Sequence, residues 1–211
     1  MTQRLNVGKW WISVGQLIGR DMGEADIVSI ASVSYIAEMA VDLVPHDPHW
    51  SVAFADEAIA LQAVLETTAA SIHHIGSTAI PSILAKPIID ILCVVYSLEA
   101  VDAANKRMRS LGYVAKGEHG IEARRYFQKS DARGVRSHHL HVFQSGSDHI
   151  ERHLAFRDFL LAHPARATMY SDLKVAILQN TVPSRQAYQD RKASFVAATQ
   201  AEAIDWYRQR A

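Results

Sequence analysis

The sequence predicts an α+β fold: a mixed β-sheet covered by helices, followed by a helical C-terminal part. Three observations carry this. "PIIDILCVV", residues 87–95, is apolar almost without interruption, as a strand buried on both faces of a sheet must be. Strand-like and helix-like segments alternate only as far as Gly146, and beyond it the pattern is helical to the end. The chain has 211 residues, 49% hydrophobic and 21% charged, which is an ordinary globular composition with enough length for one large domain and an extension.

Residues 1–44 carry few turn signals and a Trp10-Trp11 pair, and read as a helical N-terminal extension; the main domain runs over 45–211. "VPHDPHW" is a turn-rich entry. From Val52 to Thr68, Phe54, Ala58, Leu61 and Leu65 recur at helical spacing. Strands are expected at 71–76 and 87–96. A helix at 98–111 ends at Gly112. Two β segments follow at 112–116 and 121–129, then a "DARG" turn and a strand at 137–144. Asp148 and Glu151 give a capping-box-like helix start, and Pro164 and Pro183 mark two further helix starts. On the last helix Val196, Thr199, Ala203 and Trp206 share a face.

Charge narrows the function. Lys plus Arg equals Asp plus Glu, at 22 each, so there is no global footprint for nucleic acid or an anionic membrane. The longest apolar stretch is interrupted by Asp26, Glu38 and Asp42, so no membrane span is predicted. The N-terminus has no leader-like pattern, and the single cysteine, Cys93, lies in the apolar strand. The expectation is a cytoplasmic protein with Cys93 as a buried hydrophobe. The P-loop pattern of kinases is absent.

Chemistry gathers around Asp90. An ionised carboxylate in an apolar strand is costly unless it is paired, bound to a metal or open to a cleft. Ahead of it, Gly76-Ser77-Thr78 closes the preceding strand with backbone N–H groups and two hydroxyls, donors suited to phosphate oxygens. The plainer reading of that triplet is a tight turn. In "SHHLHVF", His139 and His141 point to one face of a strand while His138 and Leu140 point to the other. Two imidazoles at that spacing suit a metal or a phosphate, or are structural. Arg124 and Arg125 face opposite sides, so one of them reaches the cleft. Lys86 is a second phosphate candidate. On the next helix Arg152, Phe156 and Arg157 are expected to face the sheet, with Leu154, Phe159 and Leu161 packing inward.

A Gly-Ser turn with a carboxylate on the next strand resembles the nucleotidyltransferase superfamily. Taken in order, "HIGSTAIPSILAKPIIDILCVV", "LGYVAKGEHGIEARRYFQK", "HHLHVF" and "RHLAFRDFLLAHP" resemble the GrpB family over about residues 42–200. The resemblance implies a nucleotidyltransferase-type sheet and a small-molecule site for a nucleotide or another phosphate-bearing ligand. Gly76, Ser77, Thr78, Lys86, Arg124, Arg125, Arg152 and Arg157 are the candidate phosphate contacts. Asp90, His139 and His141 are the candidate catalytic and metal-binding groups, with Mg, Mn or Zn as the divalent ion. The sequence departs from the wider superfamily in one respect. Positions two before and two after Asp90 are Ile88 and Leu92, so only one strand carboxylate is present, whereas two-metal transfer needs a clamp on both oxygens. His73 also stands where relatives are expected to carry an acid. Three functions compete: a nucleotidyl or phosphoryl transferase, a non-catalytic nucleotide-binding accessory module, and a His/Asp metallohydrolase.

Overall fold

The computed structural model describes residues 43–179 and 185–210. The predicted N-terminal extension and the start marked by Pro183 lie outside them, apart from Leu43 and Val44. The helices are α1 (His49–Leu65), α2 (Leu98–Ala103), α3 (Asn105–Ser110), α4 (Asp148–Ala162), α5 (Pro164–Gln179) and α6 (Arg185–Arg208). The strands are β1 (Ala69–Ile75), β2 (Ile89–Val95), β3 (Tyr113–Ala115), β4 (Arg124–Ser130) and β5 (Arg136–Gln144). They form one five-stranded sheet in the order β1-β2-β5-β4-β3. β2 and β5 run parallel and the other neighbours antiparallel, so the sheet is mixed as predicted.

Period-two alternation sorts the strands into two faces. On one, Ile89, Ile91, Cys93 and Val95 of β2 join Leu140 and Val142 of β5, and pack on Leu61, Leu65, Val101 and Met108 of α1–α3. This is the main core. Leu140 is fully buried, and truncating it to Ala would cost roughly 2–5 kcal/mol. The other face presents Asp90 and Leu92 beside His139, His141 and Phe143 and then Gln128, Tyr126 and Arg124. Ile75, Leu92 and Phe143 anchor α4 there through Ile150 and Leu154. A separate cluster packs Ile80 and Ile83 against α4–α6.

Several boundaries differ from the sequence reading. The single helix expected at 98–111 is two short helices joined at Ala104. The strand expected from 121 begins at Arg124, because 121–123 is turn and Ala123 has φ 56°. The capping box at α4 is replaced: Ser147 Oγ accepts from His149 N–H, and Glu151 pairs with Arg208 instead. Leu161 does not pack inward but is 46% exposed, whereas Phe159 is buried. The shared face of the last helix is present, with Thr199 and Ala203 fully buried. No described helix is long and apolar enough to cross a membrane.

Candidate functional site

Asp90 and His139 are register partners on the parallel pair β2–β5, and His139 Nδ1 lies 2.9 Å from Asp90 Oδ1. Both side chains open toward a cavity of about 930 Å³ bounded by the sheet and the C-terminal helices. Asp90 is 29% exposed there, which answers how a carboxylate persists in an apolar strand. Burial works to raise its pKa, but the His139 hydrogen bond and the positive field of His139, His141 and Lys192 hold it below the usual carboxylate value. The carboxylate is therefore ionised at neutral pH. Asp90 accepts from His139 Nδ1–H, and His139 Nε2 is a buried atom with no hydrogen-bond partner.

Gly76 ends β1 beside Asp90. Its φ of 70° favours glycine, and a Cβ there would stand 2.4 Å from Asp90 Oδ2. After it, Ala79 N–H donates to Gly76 O and Ile80 N–H to Ser77 O, bonds that do not involve the Ser77 and Thr78 N–H groups. Ser77 Oγ accepts from Lys174 Nζ at 3.2 Å. Thr78 is different. It is buried, donates to Ile88 O at 3.2 Å and meets His74 Nε2 at 3.0 Å, so its hydroxyl braces the turn.

The cavity wall is basic. Lys86, Lys116, Arg124, Arg136, Lys174 and Lys192 line it, against Asp90 as the one lining carboxylate among the described residues. Lys174 is almost wholly buried, with Nζ donating to Ser77 Oγ and Leu84 O and lying over the Tyr170 ring. Burial, with Lys192 adding repulsion, pulls its pKa down to about 7. Lys86 lies over the Tyr188 ring at 4.8 Å.

On β4, Arg124 reaches the cavity and Arg125 does not, as the alternation required of one of them. Arg125 turns to the helical face and grips both Asp102 oxygens at 2.8 Å, so it is a structural pair and not a phosphate contact. Arg152 and Arg157 lie on α4 but do not line the cavity. Arg157 donates to His74 O and Asp158. His73 bonds Ser71 and also stays out of the cavity. His138 faces the other way, near Glu57, which pairs with Lys129.

His141 shares the face with Asp90 and His139, yet turns Nδ1 toward Arg124 Nη1 at 3.4 Å. Burial pulls it down to about 4, with Asp90 opposing and Arg124 adding to the shift, so the ring is neutral at pH 7. No three carboxylate, imidazole or thiolate side chains among the described residues come together as a metal set. The expected Asp90–His139–His141 metal triad is thus a hydrogen-bonded Asp–His pair and a separate His–Arg contact. One carboxylate already bonded to an imidazole, with the nearest second imidazole turned to a guanidinium, does not fit a preformed protein-held divalent centre.

Residues that the sequence did not flag complete the site. Tyr126 alternates with Arg124 on β4 and lies between His139 and His141, with centroids at 5.7 and 5.1 Å. His119, from the β3–β4 loop, stacks on Tyr126 at 4.9 Å. His153 of α4 reaches the His141 ring at 5.2 Å. Tyr126 was legible from the alternation that found Arg124. Lys174 carried no local signal, being 97 residues from Ser77 on a helix of which the sequence marked only the start, at Pro164.

Comparison with known proteins agrees with the sequence resemblance. Residues 40–202 match the family described as GrpB protein. The UPF0157 protein YqkA of Bacillus subtilis (strain 168) is 40% identical over 166 residues, 79% of this chain and 48% of the relative. The UPF0157 protein PA4798 of Pseudomonas aeruginosa is 35% identical over 159 residues, 74% of this chain and 65% of the relative. The chain therefore spans only half to two thirds of the length of these relatives. The crystal structure of the conserved protein GrpB from Enterococcus faecalis is similar with a TM-score of 0.74 at 37% identity, covering 79% of this chain and 99% of that one.

Proposed function

The chain belongs to the GrpB family, and from that premise we propose that it binds a nucleotide or similar phosphate-bearing small molecule and transfers a phosphate-containing group to a small acceptor. The observation that carries this is the hydrogen-bonded Asp90–His139 pair at the wall of a cavity lined by six Lys and Arg side chains. A single anion among so many cations is the electrostatic complement of a polyphosphate.

The residues divide the work by position. Gly76-Ser77 and Lys174 form a donor cluster for phosphate oxygens, supported by Lys86 and Lys192 on the same wall. Asp90 holds the His139 tautomer and stabilises its protonated form. His139 Nε2 takes the proton from the acceptor hydroxyl as that oxygen attacks phosphorus. The bond from phosphorus to the bridging oxygen breaks, and the leaving phosphate carries its negative charge into the lysine cluster. The reading carries a cytoplasmic setting with it, which a nucleotide donor and the buried free Cys93 both support.

A second reading is a nucleotide-binding accessory module without chemistry. The single strand carboxylate and the absence of a three-donor metal set among the described residues favour it. One experiment separates the two. Thermal shift against nucleotides, with and without Mg²⁺ and Mn²⁺, finds the ligand, because a hundredfold excess over Kd adds about 2.7 kcal/mol. Phosphorus NMR with small hydroxyl and carboxyl acceptors then reports turnover. Transfer that is lost in His139→Gln while nucleotide binding persists supports the enzyme. Binding without turnover leaves the module, and no stabilisation by any nucleotide overturns both.

A further inference from the structure

We propose that the stacked His119 and Tyr126 rings are the platform for the planar base of the nucleotide, an assignment that rests on the nucleotide-binding reading above and adds where the base lies.

The two rings differ in their surroundings. Tyr126 is 6% exposed, with the His139 and His141 rings beside it. His119 is exposed and lies on Tyr126, with ring centroids 4.9 Å apart and planes within 14° of parallel. Both residues line the cavity. Among the described residues Tyr126 is the one ring that His119 meets, so one face of the imidazole is covered and the other is left for a ligand ring.

The loop that carries His119 is held from the sheet. His119 has φ 45°, which is uncommon for a residue other than glycine. Arg124 is 5% exposed, and donates from Nε to Glu118 O at 3.1 Å and from Nη2 to His119 O at 2.6 Å. Its guanidinium lies over the Tyr126 ring at 4.8 Å. Glu118 Oε1 accepts from Ala123 N–H at 2.8 Å and ties the loop to its own end. A buried guanidinium thus fixes an exposed ring that seals no core. Such pre-ordering favours stacking, because an immobilised ring loses little further freedom when a ligand binds.

The platform also stands at a suitable distance from the Ser77–Lys174 cluster. Ile75, Asp90, His139 and Gln128 form one row across β1, β2, β5 and β4, and Ser77 follows the β1 end of it. Tyr126 lies on β4, level with His141. From β1 to β4 are three inter-strand steps, roughly 14 Å at the usual strand spacing. One phosphate group cannot touch both places, whereas a nucleotide carries a base at one end and phosphates at the other. Laid across the sheet, its phosphate chain passes the Asp90–His139 pair. Gln128 Nε2 donates to Tyr126 OH at 3.2 Å, and Gln128 also lines the cavity. Its carbonyl oxygen and second N–H are the acceptor and donor that suit the polar edge of a base rather than a hydrocarbon ring.

Calorimetry on the full chain tests this with ATP, GTP, CTP, UTP and inorganic tripolyphosphate, which has the phosphates without a base. At least one nucleotide should bind about tenfold or more tighter than tripolyphosphate, the scale of one base stacked on an aromatic ring. His119→Asn tolerates the positive φ but has no ring. It should remove most of that advantage and leave tripolyphosphate affinity within about twofold. His119→Phe keeps a ring and should bind the nucleotide within about threefold of the parent. A nucleotide held equally well by the parent and His119→Asn overturns the platform and leaves the nucleotide reading standing. Equal loss of nucleotide and tripolyphosphate in His119→Asn overturns it too. No preference for any nucleotide over tripolyphosphate removes the base from the site, and the platform with it. No binding of either ends the nucleotide reading itself. Should His119→Asn unfold, His119→Gly, which also suits the positive φ, decides by the same comparison.

Discussion

Gly76 and Asp90 are in such close register that a Cβ on residue 76 would stand 2.4 Å from Asp90 Oδ2 and 2.9 Å from Asp90 Cβ. The glycine is needed twice, for its φ of 70° and for the room it leaves the carboxylate. Gly76→Ala should therefore lower stability by about 1–3 kcal/mol, the cost of a strained backbone plus a displaced side chain. It should also break the Asp90–His139 bond. Urea denaturation measures the first effect and the histidine NMR spectrum the second. A variant as stable as the parent would show that the carboxylate has room to move.

Asp90 also predicts an acid limb. Its folded pKa lies below the ordinary value because the His139 bond and neighbouring positive charge outweigh burial. The folded state then holds fewer protons than the unfolded chain below the ordinary carboxylate pKa, about 3.9. The pair's stability is present above that value and is lost as pH falls through the lower folded one. Asp90→Asn should cost about 1–3 kcal/mol at pH 7, as loss of a charged hydrogen bond does, and the gap to the parent should narrow toward pH 3. Melting temperatures of both proteins across that range check it. A constant gap would show that the carboxylate is not the titrating partner.

The opening half of this site was legible because strands write their faces into the sequence. Asp90 betrayed itself as a charge among Ile89, Ile91 and Leu92, and the period of two put His139 and His141 on its side and His138 on the other. The same alternation split Arg124 from Arg125. Helices spoke less clearly. Lys174 joins Ser77 only through the packing of α5, and nothing local distinguishes it from a solvated lysine. The side-chain directions of Arg152 and His153 depend on how α4 crosses the sheet. The metal triad failed for a related reason. Sharing a face fixes where His141 stands, not where its ring nitrogen turns, and Arg124 on the neighbouring strand decided that.

His153 predicts a second pH effect with its own window. Burial, joined by His141 and Arg152, pulls its pKa down to about 3 from the usual 6.5. Between those values the unfolded chain binds a proton that the folded state refuses, so stability rises with pH and falls as pH drops below about 6.5. Replacing His153 by Phe should make the decline between about pH 6.5 and 4 shallower, leaving the part that the buried neutral His141 and His74 contribute. Parallel melting curves for the two proteins across that interval would contradict the buried neutral ring.

Lys174 gives the prediction that ties the site to its ligand. Its pKa falls to about 7 through burial and the nearby Lys192 charge, while Nζ donates to Ser77 Oγ and Leu84 O. Without ligand, the folded state holds fewer protons than the unfolded chain between about pH 7 and the usual 10.5, so stability rises with pH across that window. A bound phosphate reverses the balance, because its negative charge replaces repulsion with attraction and keeps the ammonium protonated. Nucleotide binding should then take up a proton at pH 8, and affinity should fall as pH rises above 7, by at most about tenfold per unit. Lys174→Met should bind more weakly and lose this slope. Comparing the two proteins cancels the ligand's own titration, since both meet the same nucleotide. Calorimetry in two buffers of different ionisation enthalpy reads the proton uptake directly. Equal uptake in the parent and in Lys174→Met would assign the titration to another group and remove Lys174 from the phosphate cluster.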